Sequence, residues 1–363
     1  MVPKGVTFKI PDRYRYIGPK LVGGQGYVYK YIDLFLDREV AIKEMKYLGD
    51  ADDLRNELTR ISEIRSRHVV EVFDFFEAKH SNGIAIVEEY IDGKTLYKLI
   101  EEPESPAIQN IIIILWQIAC GISDIHDQGI IHRDIKPQNM KLDGDGIIKI
   151  LDFGLSAHDE PDAETIGARG TPYYRSPEMY STPPIPLTRA LDVYAFGVTA
   201  WYLLNKGILP KTLRDFPPLS KTPCQSFQKA KIVLPERLTD IFDQTMISDP
   251  EKRPSMITIR DILRSQLLSG KHRLVFSNRG ETIEISIKNP MANLKSGSSS
   301  LDINYNNFEF VISNVSGDIY INNRHVVDGI TIPISCVLTF GDPTKGAGRT
   351  HVPMTVVVPE VVL

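Results

Sequence analysis

His132-Arg133-Asp134-Ile135-Lys136-Pro137-Gln138-Asn139, followed by Asp152-Phe153-Gly154, decides how this chain is read. Seven of the eight positions in the first run are charged, polar or helix-breaking, and the hydrophobic strand Ile147-Ile148-Lys149-Ile150-Leu151 leads into the second. Around this pair the chain has 363 residues, 42% of them hydrophobic, enough for a large core and, by length, for two domains. A net charge of −4 gives no pointer to nucleic acid or to an anionic membrane surface. Cys120, Cys224 and Cys336 are far apart, odd in number and without metal-ligand spacing, which favours a reducing compartment.

The start, Met1-Val2-Pro3-Lys4-Gly5-Val6, lacks the charged and apolar regions of a secretion signal. The longest apolar run, Ile111 to Trp116 and on through Ile118 to Ile122, is interrupted by Gln117 and is too short for a bilayer. It is expected to be a buried helix in a cytoplasmic protein. Periodicity places further elements. Val40 to Lys43 reads as a strand, and Asp52 to Ile64 as a helix with Leu54, Leu58, Ile61 and Ile64 on one face. Val69 to Phe76 and Gly83 to Ile91 alternate as strands, and Ile108 to His126 is a long helix. Beyond Leu268 the pattern changes to short alternating runs at 273–276, 282–287, 308–312, 318–321, 334–340 and 351–358, punctuated by Gly280, Gly317, Gly329 and Gly341. These predict a small β-sandwich over 271–363, with Ser296 to Ser300 as a loop inside it.

The two opening stretches resemble the catalytic loop and metal-binding motif of the protein kinase family, specifically its eukaryotic-like, Hanks-type branch. The likeness extends to Gly170-Thr171-Pro172-Tyr173-Tyr174-Arg175-Ser176-Pro177-Glu178, similar to the family's substrate-docking loop with Ser176 in place of alanine, and to Asp192-Val193-Tyr194-Ala195-Phe196-Gly197. The resemblance implies an α+β chain: a two-lobed kinase fold over 10–268, with an N-lobe at 10–90 and a C-lobe at 91–268, followed by the sandwich. It implies that Asp134 orients and deprotonates the acceptor hydroxyl, that Lys136 neutralises charge on the moving phosphate, and that Asn139 and Asp152 hold Mg²⁺ or Mn²⁺ against ATP. Lys43 would hold the inner phosphates and Glu57 would fix Lys43. Glu178 would pair with Arg253, and Asp192 would anchor the catalytic-loop backbone. An internal column of Ile61, Val72, His132 and Phe153 would rest on Asp192.

The same resemblance makes Leu21-Val22-Gly23-Gly24-Gln25-Gly26-Tyr27-Val28 the hairpin that covers the phosphates, with Val28 and Ala41 above the adenine. Leu21 stands where the family has its first glycine. Glu89 and Ile91 would offer backbone groups to the base. Glu88 falls at the back of the pocket, where the family carries an apolar or hydroxyl residue, and Lys141 falls at its floor, normally apolar. The two charges are expected to face each other as an ion pair, because an unpaired charge there is costly; the alternative is that either side chain points to solvent.

Lys136 and Pro137 resemble the serine/threonine branch, as does Thr171, which there bonds the catalytic aspartate and lysine. Arg133 before Asp134 implies that phosphate on the activation loop, at Thr165 by preference or at Thr171, is read by an arginine after autophosphorylation. The expected partners are proteins bearing Ser or Thr, and a dimer is possible. The tail from Gly317 to Ile330 and Val337 to Gly341 is similar to the second half of a forkhead-associated domain. The arginine and serine that hold phosphothreonine in such domains are not found near Gly297 or Ser313, so a degenerate module for docking or autoinhibition is expected, with a working phosphopeptide reader as the alternative. The rival for the whole chain is an ATP-binding pseudokinase scaffold, with Leu21, Glu88 and Lys141 in its favour.

Overall fold

The computed structural model describes residues 10–23, 26–46, 51–77, 83–102, 108–153, 172–180, 187–214, 226–278 and 280–361. The chain divides into two compact units, 1–263 and 264–363. The first begins with a five-stranded antiparallel sheet in the order β1 (Tyr14–Gly23), β2 (Gly26–Asp33), β3 (Arg38–Lys46), β5 (Gly83–Glu89), β4 (Val72–Glu77), with helix α1 (Ala51–Glu63) between β3 and β4. One face of this sheet is closed by Tyr29, Tyr31, Val40, Ile42, Ala85 and Val87. The opposite face carries Ala41, Lys43, Ile86 and Glu88, because Ala41 pairs with Glu88 and Lys43 with Ile86, and partners across a ladder point the same way.

The expected strand from Val69 splits. Val70 donates to the carbonyl of Ile150 and Ile150 to that of His68, so 68–70 pairs with a later strand and β4 starts only at Val72. That strand belongs to a small sheet of β6 (Lys94–Thr95), β7 (Met140–Leu142) and β8 (Ile148–Ile150), with helices α2 (Leu96–Glu101) and α3 (Ile108–Asp127) between β6 and β7. The Gln117 that interrupts the apolar run of α3 is buried, and its amide ties the helix to the β7–β8 hairpin through Gly146 O (3.1 Å) and Ile148 N (2.7 Å). No described helix is long and apolar enough to cross a membrane.

Helix α4 (Ala190–Leu204) is buried from Leu191 to Leu204, as expected for a helix apolar on all sides, and Asp192 is the one carboxylate in it. It is followed by α5 (Lys211–Arg214), α6 (Glu236–Thr245) and α7 (Met256–Leu267). Gly197 allows α4 and α6 to touch: a Cβ there would lie 2.1 Å from Thr245 Oγ1 and 2.7 Å from Met246 Cγ.

Apart from the last turn of α7 and a 3-10 turn at Pro343–Gly348, the second unit is built of β-strands. One sheet runs β10 (Glu281–Ile285), β9 (Arg273–Asn278), β17 (Thr350–Val357), β16 (Ser335–Phe340), β14 (Ile319–Ile321), β15 (Arg324–His325); the other is β11 (Met291–Ser296), β12 (Ser299–Tyr305), β13 (Phe310–Ser316). Leu294, Leu301 and Ile303 from the small sheet share one core with Leu274, Leu338 and Met354 from the large one. The tract at Ser296 to Ser300, expected as a loop, is the tight end of the β11–β12 hairpin, with Ser296 paired to Ser299 and Gly297 at φ +59°. Its polar residues carry little strand propensity, which hid both strands.

Candidate functional site

The site is built on Asp192. Its Oδ2 accepts the backbone N–H of His132 (2.8 Å) and lies 2.9 Å from His126 Nε2, while its Oδ1 accepts the N–H of Arg133 (2.8 Å). A carboxylate buried in an apolar helix is stable only when its acceptor sites are filled, and here the catalytic-loop backbone fills them. His132 is wholly buried, and that burial pushes its imidazole below the ordinary range, toward the neutral form. Its Nδ1 accepts from Asp134 N (3.3 Å), so the proton sits on Nε2 and is donated to Leu151 O (3.0 Å). The ring also contacts Phe153 at 4.9 Å between centroids. His132 thus couples the two motifs, and Phe153, Val72 and Ile61, the other residues of the expected column, are buried as well. His126 was not foreseen from the sequence; its position six residues before His132, at the end of α3, was the available signal.

The loop places the reactive groups together. Lys136 Nζ lies 2.8 Å from both oxygens of Asp134, and Asn139 Nδ2 donates to Asp134 O (2.9 Å) and Oδ2 (2.6 Å). With its amide nitrogen committed, Asn139 keeps its side-chain carbonyl oxygen as an acceptor. Across the cleft, Lys43, itself buried, donates to Asp152 Oδ1 at 2.6 Å. Arg133 and Asp152 both adopt left-handed backbone, with φ of +68° and +59°, a conformation costing about 1–2 kcal/mol per non-glycine residue. The surrounding hydrogen bonds hold both. Asn139 and Asp152 together offer hard oxygen donors, the set that suits Mg²⁺ or Mn²⁺.

Glu57, on α1, lies 3.9 Å from Arg133 Nη1. Arg253 reaches Glu178 with two nitrogens, at 2.6 and 2.8 Å, and fills its remaining donors with Ile247 O, Ala190 O and Ser248 O. In the covering hairpin Leu21 pairs with Val28, Val22 with Tyr27 and Gly23 with Gly26. Gly24 and Gln25 lie outside the described residues, as do Thr165 and Thr171.

The base end of the cleft departs from expectation. Lys141 turns its Nζ to Ile91 O at 2.9 Å, so the expected pair with Glu88 is not among the ion pairs of the described residues. Burial lowers the Lys141 ammonium from its ordinary value, with Asp92 the foremost opposing charge and Glu88 only the next. The butylene stem can therefore cover the floor while the charge leaves toward the chain beyond β5. Glu89, the neighbour of Glu88, is satisfied by Lys149 at 2.8 Å. Glu88 is instead pushed up to about 7, first by burial and then by the charge of Asp152, with Lys43 and Lys141 only partly offsetting them.

Comparison with known proteins gives the same picture. The profile described as protein kinase domain matches residues 15–268. A probable serine/threonine-protein kinase of Clostridium acetobutylicum is 34% identical over 208 residues, 55% of this chain and 31% of the relative. A serine/threonine-protein kinase of Myxococcus xanthus is 34% identical over 214 residues, 55% of this chain and 25% of the relative. For PknA of Corynebacterium glutamicum the values are 35% over 196 residues, 50% and 40%. The chain therefore spans well under half the length of each of these relatives.

Proposed function

Because the chain belongs to the protein kinase family, we propose that it transfers the γ-phosphoryl group of ATP to serine or threonine hydroxyls of proteins. The observation that carries this is the Asp134 carboxylate, held by Lys136 and Asn139 at 2.6–2.8 Å on the same loop that Asp192 anchors. The acceptor hydroxyl gives its proton to Asp134 as its oxygen bonds phosphorus, and the bond from phosphorus to the departing ADP oxygen breaks. Lys136 stands beside Asp134 to neutralise the moving phosphoryl oxygens, and Lys43 holds the inner phosphates, with Glu57 its steadying partner. Asn139 and Asp152 are the residues that hold Mg²⁺ or Mn²⁺, which when bound neutralises the triphosphate.

Val28 and Ala41 roof the base, Leu21 to Tyr27 cover the phosphates, and Glu89 and Ile91 offer backbone groups. Arg133 reads phosphate placed on Thr165 by autophosphorylation; its Nε and Nη1 are buried without a hydrogen-bond partner among the described residues, which supports that role. Residues 271–363 serve docking or regulation in the manner of a degenerate forkhead-associated domain.

The test is phosphate incorporation from γ-labelled ATP with Mg²⁺ or Mn²⁺, beside Asp134→Asn and mapped by mass spectrometry. Label on serine or threonine in the parent and at least about a hundredfold less in the variant is the expected result. ATP binding without label in the parent would instead favour the scaffold reading.

A further inference from the structure

β5 ends in two adjacent carboxyls with opposite fates. In a strand, consecutive side chains point to opposite faces, and the ladder with β3 puts Glu88 on the face of Ala41 and Lys43, toward the cleft. Glu89 points the other way and is paired with Lys149. The lysine closest in role to Glu88, Lys141, is engaged at Ile91 O. Lys43, on that same face, is hydrogen-bonded to Asp152 at 2.6 Å, so Glu88 shares its strand face with the lysine that reaches Asp152.

On the phosphotransfer reading, a purine held by the backbone of Glu89 and Ile91 under Ala41 lies beside Glu88, because Glu88 is paired with Ala41 on the same strand face. Once ionised, Glu88 only accepts hydrogen bonds, so the group set against it must carry an N–H or O–H. An exocyclic amine has an N–H to give; a ring carbonyl at the same position would bring lone pair against lone pair.

We propose that Glu88 is a base-specificity residue, accepting an N–H from a 6-amino purine and rejecting a 6-oxo purine. This rests on the phosphotransfer reading and adds to it a device that an apolar side chain at this position lacks. An apolar wall tolerates either substituent at modest cost, whereas a buried acceptor left facing another acceptor loses a full hydrogen bond and its desolvation. No hydrogen bond to the Glu88 carboxyl is found among the described residues, so its acceptor positions are open to an incoming N–H.

The experiment displaces a fluorescent ADP analogue from the full chain with ADP or IDP, in Mg²⁺ at pH 8.5, where the carboxylate form prevails. ADP and IDP differ at the 6-position and in the adjacent ring proton, so backbone groups contribute to the preference of the parent; the diagnostic quantity is its change on substitution. Glu88→Gln, which can turn an N–H to the base, is expected to raise the affinity for IDP and lower the ADP-to-IDP preference by about tenfold. Glu88→Met, which removes the acceptor while keeping bulk, is expected to lower that preference without a gain for IDP, and carries the test if the glutamine variant fails to fold. A preference unchanged within about twofold in the folded variants overturns the assignment while leaving the kinase reading intact. Failure of the parent to bind ADP overturns both.

Discussion

The loop around Asp192 and the end of β5 at Glu88 treat charge withdrawn from water in opposite ways, Asp192 being buried and Glu88 half-buried. At Asp192 each oxygen is taken by catalytic-loop N–H groups and a histidine. At Glu88 the nearest cations act from a distance, and the carboxyl is held near 7. The first arrangement makes a charge structural, because the loop it grips cannot leave without stranding it. The second leaves a polar group poorly compensated, which costs stability unless something else fills its acceptor positions.

Breaking the Asp192 arrangement should have the largest effect. Asp192→Ala leaves the His132 and Arg133 N–H groups and His126 without their acceptor, and is expected to cost roughly 3–5 kcal/mol, read as a fall in the denaturant midpoint. A loss below about 1 kcal/mol would show that the loop is held by something else. Arg253→Met strands the Glu178 carboxylate and should cost about 2–4 kcal/mol by the same measurement.

Glu88→Met should move stability the other way, and only at higher pH. A carboxyl raised from 4.5 to about 7 keeps its proton in the folded chain over that window while the unfolded chain releases it, so folded stability falls as pH rises through it. The methionine variant should therefore gain on the order of 1–3 kcal/mol over the parent at pH 8 and little below pH ~4.5, compared by thermal unfolding without nucleotide. An equal gain at both pH values would show the effect to be packing rather than charge. Smallest of all, Lys141→Leu gives up one hydrogen bond to Ile91 O while keeping an apolar floor, and should change stability by less than about 1 kcal/mol. A large loss would mean that the ammonium, not the stem, is what the floor needs.

The roles of Asp192 and Arg253 were legible in the sequence because each follows from one local motif meeting another, with short side chains or a rigid guanidinium fork that leave little choice of partner. β3, α1 and α3 were legible for a similar reason, since periodic apolar positions commit a segment to one face whatever surrounds it, whereas the β1–β2 hairpin was legible only through its glycines and their resemblance to the family's loop. The β11–β12 hairpin was not, because asparagine, lysine and serine on its outer face mask an alternation whose inner face is Leu294, Leu301 and Ile303.

The sequence by itself determined a kinase fold and the presence of Glu88 and Lys141, two charges at positions where the family is apolar or hydroxylic. Only the tertiary structure decided where those charges go. A lysine has a four-carbon stem and reaches whichever acceptor lies within its radius, and Ile91 O, on a chain fifty residues away in sequence, lies within it. Glu88 has a shorter reach and a strand that fixes its face, so once Lys141 turned away the carboxyl stayed in the cleft.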